Sequence, residues 1–135
     1  MFEHTADVGL RVRGIDLDDL FTTAAEGLFD FVVANRGAVQ CDRWEQVSLA
    51  SESLKELFLA WLSELIFRCE TRHRLYQGFK VHIAPDGLSL AAEIGGEPID
   101  SERHELDHEI KAVTQHGFLL KHDADGWLAE VILDV

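Results

Sequence analysis

The spacing of apolar residues changes character partway along this chain, and that change restricts the fold more than any other feature. Two early segments repeat at the helical interval, whereas from Gly78 onward the repeat is two. Leu17, Leu20, Phe21, Ala24, Leu28, Phe31 and Val32 predict a helix over about 17–34. Asp16 suits its N-cap, Asp18 and Asp19 sit in the first turn where the helix dipole favours negative charge, and Asn35-Arg36-Gly37 stops it. Ser53-Leu54-Lys55-Glu56 is a capping box that opens a second helix. Its Leu54, Leu57, Phe58, Trp61, Leu62, Leu65 and Ile66 make one wide apolar face. At that spacing Phe58 and Trp61 read as core rather than as a ligand box.

The period-two segments predict strands. Val8, Leu10 and Val12 alternate with Gly9, Arg11 and Arg13, and a short strand is expected over about 44–50. Phe79, Val81 and Ile83 lead into the turn Pro85-Asp86-Gly87, and Leu88, Leu90, Ala92 and Ile94 return as a hairpin that Gly95-Gly96-Glu97-Pro98 ends. A polar loop over 99–108 precedes strands expected at about 109–114 and 117–121. After the turn Asp123-Ala124-Asp125-Gly126 a closing strand alternates through Trp127, Ala129, Val131 and Leu133. This order argues an α+β fold, a largely antiparallel sheet with two helices packed on one face. A chain of 135 residues fits one domain over 1–135, and no repeat or linker divides it.

Composition narrows the function. The 25 acidic residues against 12 basic give a net charge of −13, which disfavours tight direct binding of nucleic acid and suits a basic protein partner or cations, although acidity by itself more often serves only solubility. No run approaches a membrane helix, and no secretory signal opens the chain. Cys41 and Cys69 are too isolated for a disulfide framework or zinc site, so a reduced cytoplasm is expected. No nucleotide-binding glycine loop, Gly-x-Ser-x-Gly elbow, Cys-x-x-Cys or His-Glu-x-x-His is present.

The acidic residues at the two ends of the pattern are more pointed. If the first and last strands are antiparallel neighbours, Asp7 and Asp134 share one corner, with the carboxylate of Val135 beside them. Crowded carboxylates repel unless one is protonated or a cation lies between them. Taken alone, His4, three residues before Asp7, reads sooner as a surface histidine, and Asp7 as a turn cap. His104 lies among acidic neighbours in the polar loop, where solvation is the plain reading. Glu109 and Lys111 alternate against Ile110, Ala112 and Thr114, either as an exposed ion pair or as a charged strip offered to a partner. His116 before Gly117 reads as a turn residue.

Taken together these motifs resemble the archease family. The resemblance rests on His4-Thr5-Ala6-Asp7-Val8-Gly9, on Gly96-Glu97-Pro98 with Asp100 and His104, on 109–117, and on Val131-Ile132-Leu133-Asp134-Val135, in order along the whole chain. It departs at Gln115, where the family usually has Tyr. The resemblance implies an activator, not an enzyme, that promotes guanylylation and multiple turnover of an RtcB-type tRNA-splicing RNA ligase. It further implies a divalent cation held by Asp7, Asp134 and Val135, Ca²⁺ first, with Mg²⁺ or Mn²⁺ as alternatives. His4, His104, Glu109, Lys111 and His116 would then serve the partner or the activation. Two other readings stand beside it: a metal-dependent phosphoester hydrolase using Asp7, Asp134, His4 and His104, and a non-catalytic binding module.

Overall fold

The computed structural model describes residues 6–135. Six strands and two α-helices follow in the order β1 (Asp7–Gly14), α1 (Leu17–Val32), β2 (Arg43–Ala50), α2 (Leu54–Arg72), β3 (Arg74–Ile83), β4 (Ser89–Pro98), β5 (Ala112–Asp123) and β6 (Gly126–Asp134). The strands form two three-stranded antiparallel sheets, β1-β6-β5 and β2-β4-β3. Each helix touches both: α1 packs on β1 and β3, and α2 on β5 and β3. The architecture is therefore α+β with antiparallel pairing, as the pattern of periods predicts, and the helices join two sheets rather than lie on a continuous one.

Both helices begin as their caps dictate. The Asp16 side chain accepts from the Asp19 N–H at 2.8 Å, while Asp19 accepts in return from the Ile15 N–H at 2.9 Å. Ser53 accepts from the Glu56 N–H at 3.1 Å, and the Glu56 carboxylate reaches back to the Glu52 N–H at 3.4 Å. The apolar faces then meet. Leu20, Phe21, Ala24 and Leu28 of α1 and Leu57, Phe58, Trp61 and Leu65 of α2 are fully buried. Phe21 and Phe58 pack edge to face, and Trp61, buried whole, satisfies its indole by donating to the Phe21 carbonyl at 2.9 Å.

Three local expectations change. The first helix ends at Val32, two residues early, because the chain beyond it is captured by the 99–108 loop. Val33 bridges to Leu106, and the Ala34 N–H donates to the Glu105 carbonyl at 2.7 Å. The hairpin strands are longer than their apolar runs, since β3 begins at Arg74 and β4 continues to Pro98. The strands expected at 109–114 and 117–121 are a single strand, β5, whose register against β6 shifts between Thr114 and Leu119. Gly117 sits in that irregularity at φ +64°, a left-handed conformation that suits glycine. Glu109, Ile110 and Lys111 precede the strand, so the expected alternation fails there: Ile110 is buried but Ala112 is exposed.

Candidate functional site

Strands β1 and β6 pair antiparallel over their whole length, with Asp7 directly opposite Asp134. On the other side of β6, Asp134 faces Ala112 of β5. The three residues form one row across the sheet, followed on the same face by Gly9, Ile132 and Thr114. Gly9 and Ala112 add little bulk, and an open hollow of about 420 Å³ results, lined by Asp7, Asp134, Ile132, Thr114, His116 and Gly117. The displaced register of β5 is what sets His116 and Gly117 against the hollow, a placement that turn chemistry alone does not suggest.

Two carboxylates in a direct cross-strand pair repel. One of them has no relief among the described residues, because Asp134 Oδ1 is shut off from solvent and has no hydrogen-bond partner there. An orphaned buried carboxylate oxygen is costly unless something cationic or protic meets it. The backbone around it is fully tied: the Lys111 N–H donates to the Asp134 carbonyl at 2.7 Å, and the Val135 N–H to the Ala6 carbonyl at 3.1 Å. These features fit an oxygen-ligated hard cation shared by Asp7, Asp134 and a Val135 oxygen. Among the described residues, no three His, Cys, Asp or Glu side chains are grouped to hold a metal, so such an ion would rest on two side-chain carboxylates, main-chain oxygen and water. His4 lies outside the described residues.

The remaining sequence candidates fall elsewhere. Solvation was expected for His104, and the structure corrects this: its side chain is 0% exposed. The ring accepts from the Asp100 N–H through Nδ1 at 2.9 Å, so Nε2 carries the proton and donates to Glu97 at 3.1 Å. Held in this way, it is unavailable to the hollow at Asp7 and Asp134 as ligand or base, and the hydrolase reading loses one of its members. Glu97, also buried, is met by Arg103 and by the Gln40 N–H as well. Burial pushes the Glu97 carboxyl up, but the Arg103, Gln40 and His104 donors outweigh it and hold it at about 2. Arg103 and Asn35 then fasten the loop. The Asn35 amide donates to the Arg103 carbonyl at 2.9 Å and accepts from the Glu105 N–H at 2.8 Å. Glu109 and Lys111 are both exposed and form no ion pair with each other or any other described residue. They are a solvent-facing strip beside the Asp134 backbone.

A second buried carboxylate, Glu45, escaped the reading of the sequence. Arg68, Arg72 and Arg74 converge on it, and the Tyr76 hydroxyl donates to it at 2.7 Å. Burial pushes its carboxyl up, yet the Tyr76 hydroxyl and the arginines bring it below the ordinary value. The signal was present: Glu45 is in phase with Val47 and Leu49, at an inward position of β2.

The fold and site together define a small α+β protein with two sheets, organised around an open acidic corner where its first and last strands meet. The chain belongs to the Archease protein family, whose model matches residues 1–135. It is 34% identical to the protein archease of Pyrococcus abyssi over 99% of this chain and 96% of that one. It is 39% identical to that of Methanothermobacter thermautotrophicus, again over 99% and 96%. The solution structure of a Methanobacterium thermoautotrophicum protein superposes with a TM-score of 0.78 at 33% identity, covering 99% of this chain and 96% of that one. A Thermotoga maritima archease, described as a possible chaperone, shares the fold with a TM-score of 0.70 at 18% identity, over 100% and 95%. Among the described residues, no helix is long and apolar enough to cross a membrane.

Proposed function

We propose that this protein activates an RtcB-type tRNA-splicing RNA ligase, promoting guanylylation of the ligase and its multiple turnover while joining no RNA itself. The observation that carries the reading is the pairing of Asp7 with Asp134, with Asp134 Oδ1 buried and without a partner among the described residues, in a member of the archease family. Asp7, Asp134 and a Val135 oxygen would hold a divalent cation there, Ca²⁺ in preference to Mg²⁺ or Mn²⁺. Such an ion would supply positive charge between the carboxylates and open coordination positions facing the partner. The chain's own residues shape the approach. The small Gly9 and Ala112 leave the hollow open, and the irregularity in β5 sets His116 at its rim. A net charge of −13 favours encounter with a basic surface, as expected of a protein that handles RNA.

The test is a time course of ligase guanylylation and ligation with and without this protein. Sub-stoichiometric protein should speed guanylylation and convert single-turnover ligation into multiple turnover. Unchanged kinetics at every ratio would overturn the reading.

A further inference from the structure

A second concavity lies away from the hollow that Asp7 and Asp134 line. Between α1, α2 and the segment before β5 is a cavity of about 430 Å³, walled by Leu28, Phe29, Val32, Ile66, Leu75 and Ile110. Its lining also includes three carboxylates, Glu70, Asp107 and Glu109, all on exposed residues. Among the described residues none of the three is paired with a lysine or arginine, and Asp107 meets only His108, at 3.2 Å. Two large apolar residues stand exposed nearby, Leu106 at 54% and Phe67 at 58%. Ile66 and Glu70 also line the adjoining hollow with Phe67 and Lys111, so apolar surface continues from one to the other. Cys69 lines the cavity too, but burial and then the charge of Glu70 push its thiol to about 11. At neutral pH the cavity therefore presents no thiolate, and its character is that of a binding surface.

We propose that this cavity docks a segment of the protein partner that presents a large apolar side chain between basic residues. The proposal rests on the reading above that the protein acts through a protein partner. Charge complementarity selects the occupant. Apolar walls take up the side chain, and the three carboxylates, none of them held by a lysine or arginine among the described residues, favour lysine or arginine on either side of it. Another copy of this acidic chain would bring mostly like charge to the same place. Docking here also bears on the acidic corner. Glu109 and Ile110 belong to the cavity, and the Lys111 N–H is bonded to the Asp134 carbonyl. A segment seated in the cavity thus braces the stretch that leads into β5 and is hydrogen-bonded to the Asp134 backbone of the central strand, β6.

The experiment measures affinity for the cognate ligase by calorimetry, using full-length wild type, a Glu70→Lys, Glu109→Lys double variant and a Leu106→Asp variant. Both variants should bind at least tenfold more weakly, with melting temperature and Ca²⁺ response unchanged, and the double variant should lose much of the salt dependence. In parallel, amide hydrogen exchange of residues 106–110 in the wild type should slow at least fivefold under saturating ligase, which remains informative if a variant folds poorly. Variants that bind like wild type, or unslowed exchange at residues 106–110 in a bound complex, would overturn the docking site and leave the activator reading standing. Wild type that neither binds nor activates the ligase would overturn both. Self-association of the protein alone, abolished by these variants, would assign the cavity to a second copy and overturn the proposal.

Discussion

Glu97 is almost completely buried, and burial favours its neutral form. The donors gathered on it reverse the outcome and bring it from the ordinary 4.5 down to about 2. A carboxyl depressed on folding contributes stability that is complete above its unfolded value and is lost as pH falls through the folded one. The melting temperature should therefore decline between about pH 4.5 and about pH 2, and Glu97→Gln should flatten that part of the profile. A solvated His104, the plain reading of the sequence, would make His104→Ala neutral for stability. With the ring buried between Glu97 and the Asp100 N–H, the substitution should instead cost about 1–3 kcal/mol in urea unfolding. Glu45→Ala strands Arg68 and Arg74 around a missing carboxylate and should cost about 3–5 kcal/mol by the same measurement. The two buried carboxylates were unequally legible. Glu45 could be read from its phase with Val47, whereas the pairing of His104 with Glu97 depends on how an irregular loop folds back, which no periodicity encodes.

Periodicity located every strand and both helices, because each buries one face and its apolar spacing reports that face. It could not report where a strand departs from regular pairing. The alternation of 109–114 looked continuous, yet the strand begins at Ala112 and its register shifts a few residues later. Two glycines mark such constraints and predict different costs. At Gly117 no described residue stands within 4 Å of an added Cβ, so Gly117→Ala is penalised by its positive φ and should cost about 1–2 kcal/mol. At Gly96 an added Cβ would lie 1.9 Å from the Leu75 carbonyl oxygen, inside the β3–β4 pair. Gly96→Ala must therefore separate the strands, and its loss of stability in urea unfolding should be clearly the larger.

Across the molecule, the acidic corner was legible from the sequence because it needed only one topological assumption, antiparallel pairing of the first and last strands. Division into two sheets was not legible, since strand periods carry no record of which strands share an edge. The cation proposed there should stabilise the native state by about 2.7 kcal/mol at a hundredfold excess over its dissociation constant. Melting temperature should rise with Ca²⁺ and fall on chelation. Asp7→Ala and Asp134→Ala should abolish that response and the activation of the ligase while sparing the fold, since each relieves repulsion. Calorimetry showing undiminished cation binding in the double variant would place the ion elsewhere.

The position of β6 has a consequence for biosynthesis. It is the middle strand of its sheet, yet it comes last in the sequence, after both of the strands it joins. Until β6 is made, β1 and β5 have no ladder to enter, and the long loop between β1 and β6 stays open. The β2-β4-β3 sheet suffers no such delay, because its strands are complete well before the ribosome reaches β5. Asp7, made before the other described strands, meets Asp134 only when β6 inserts, so the corner exists solely in molecules whose β1-β6-β5 sheet has closed.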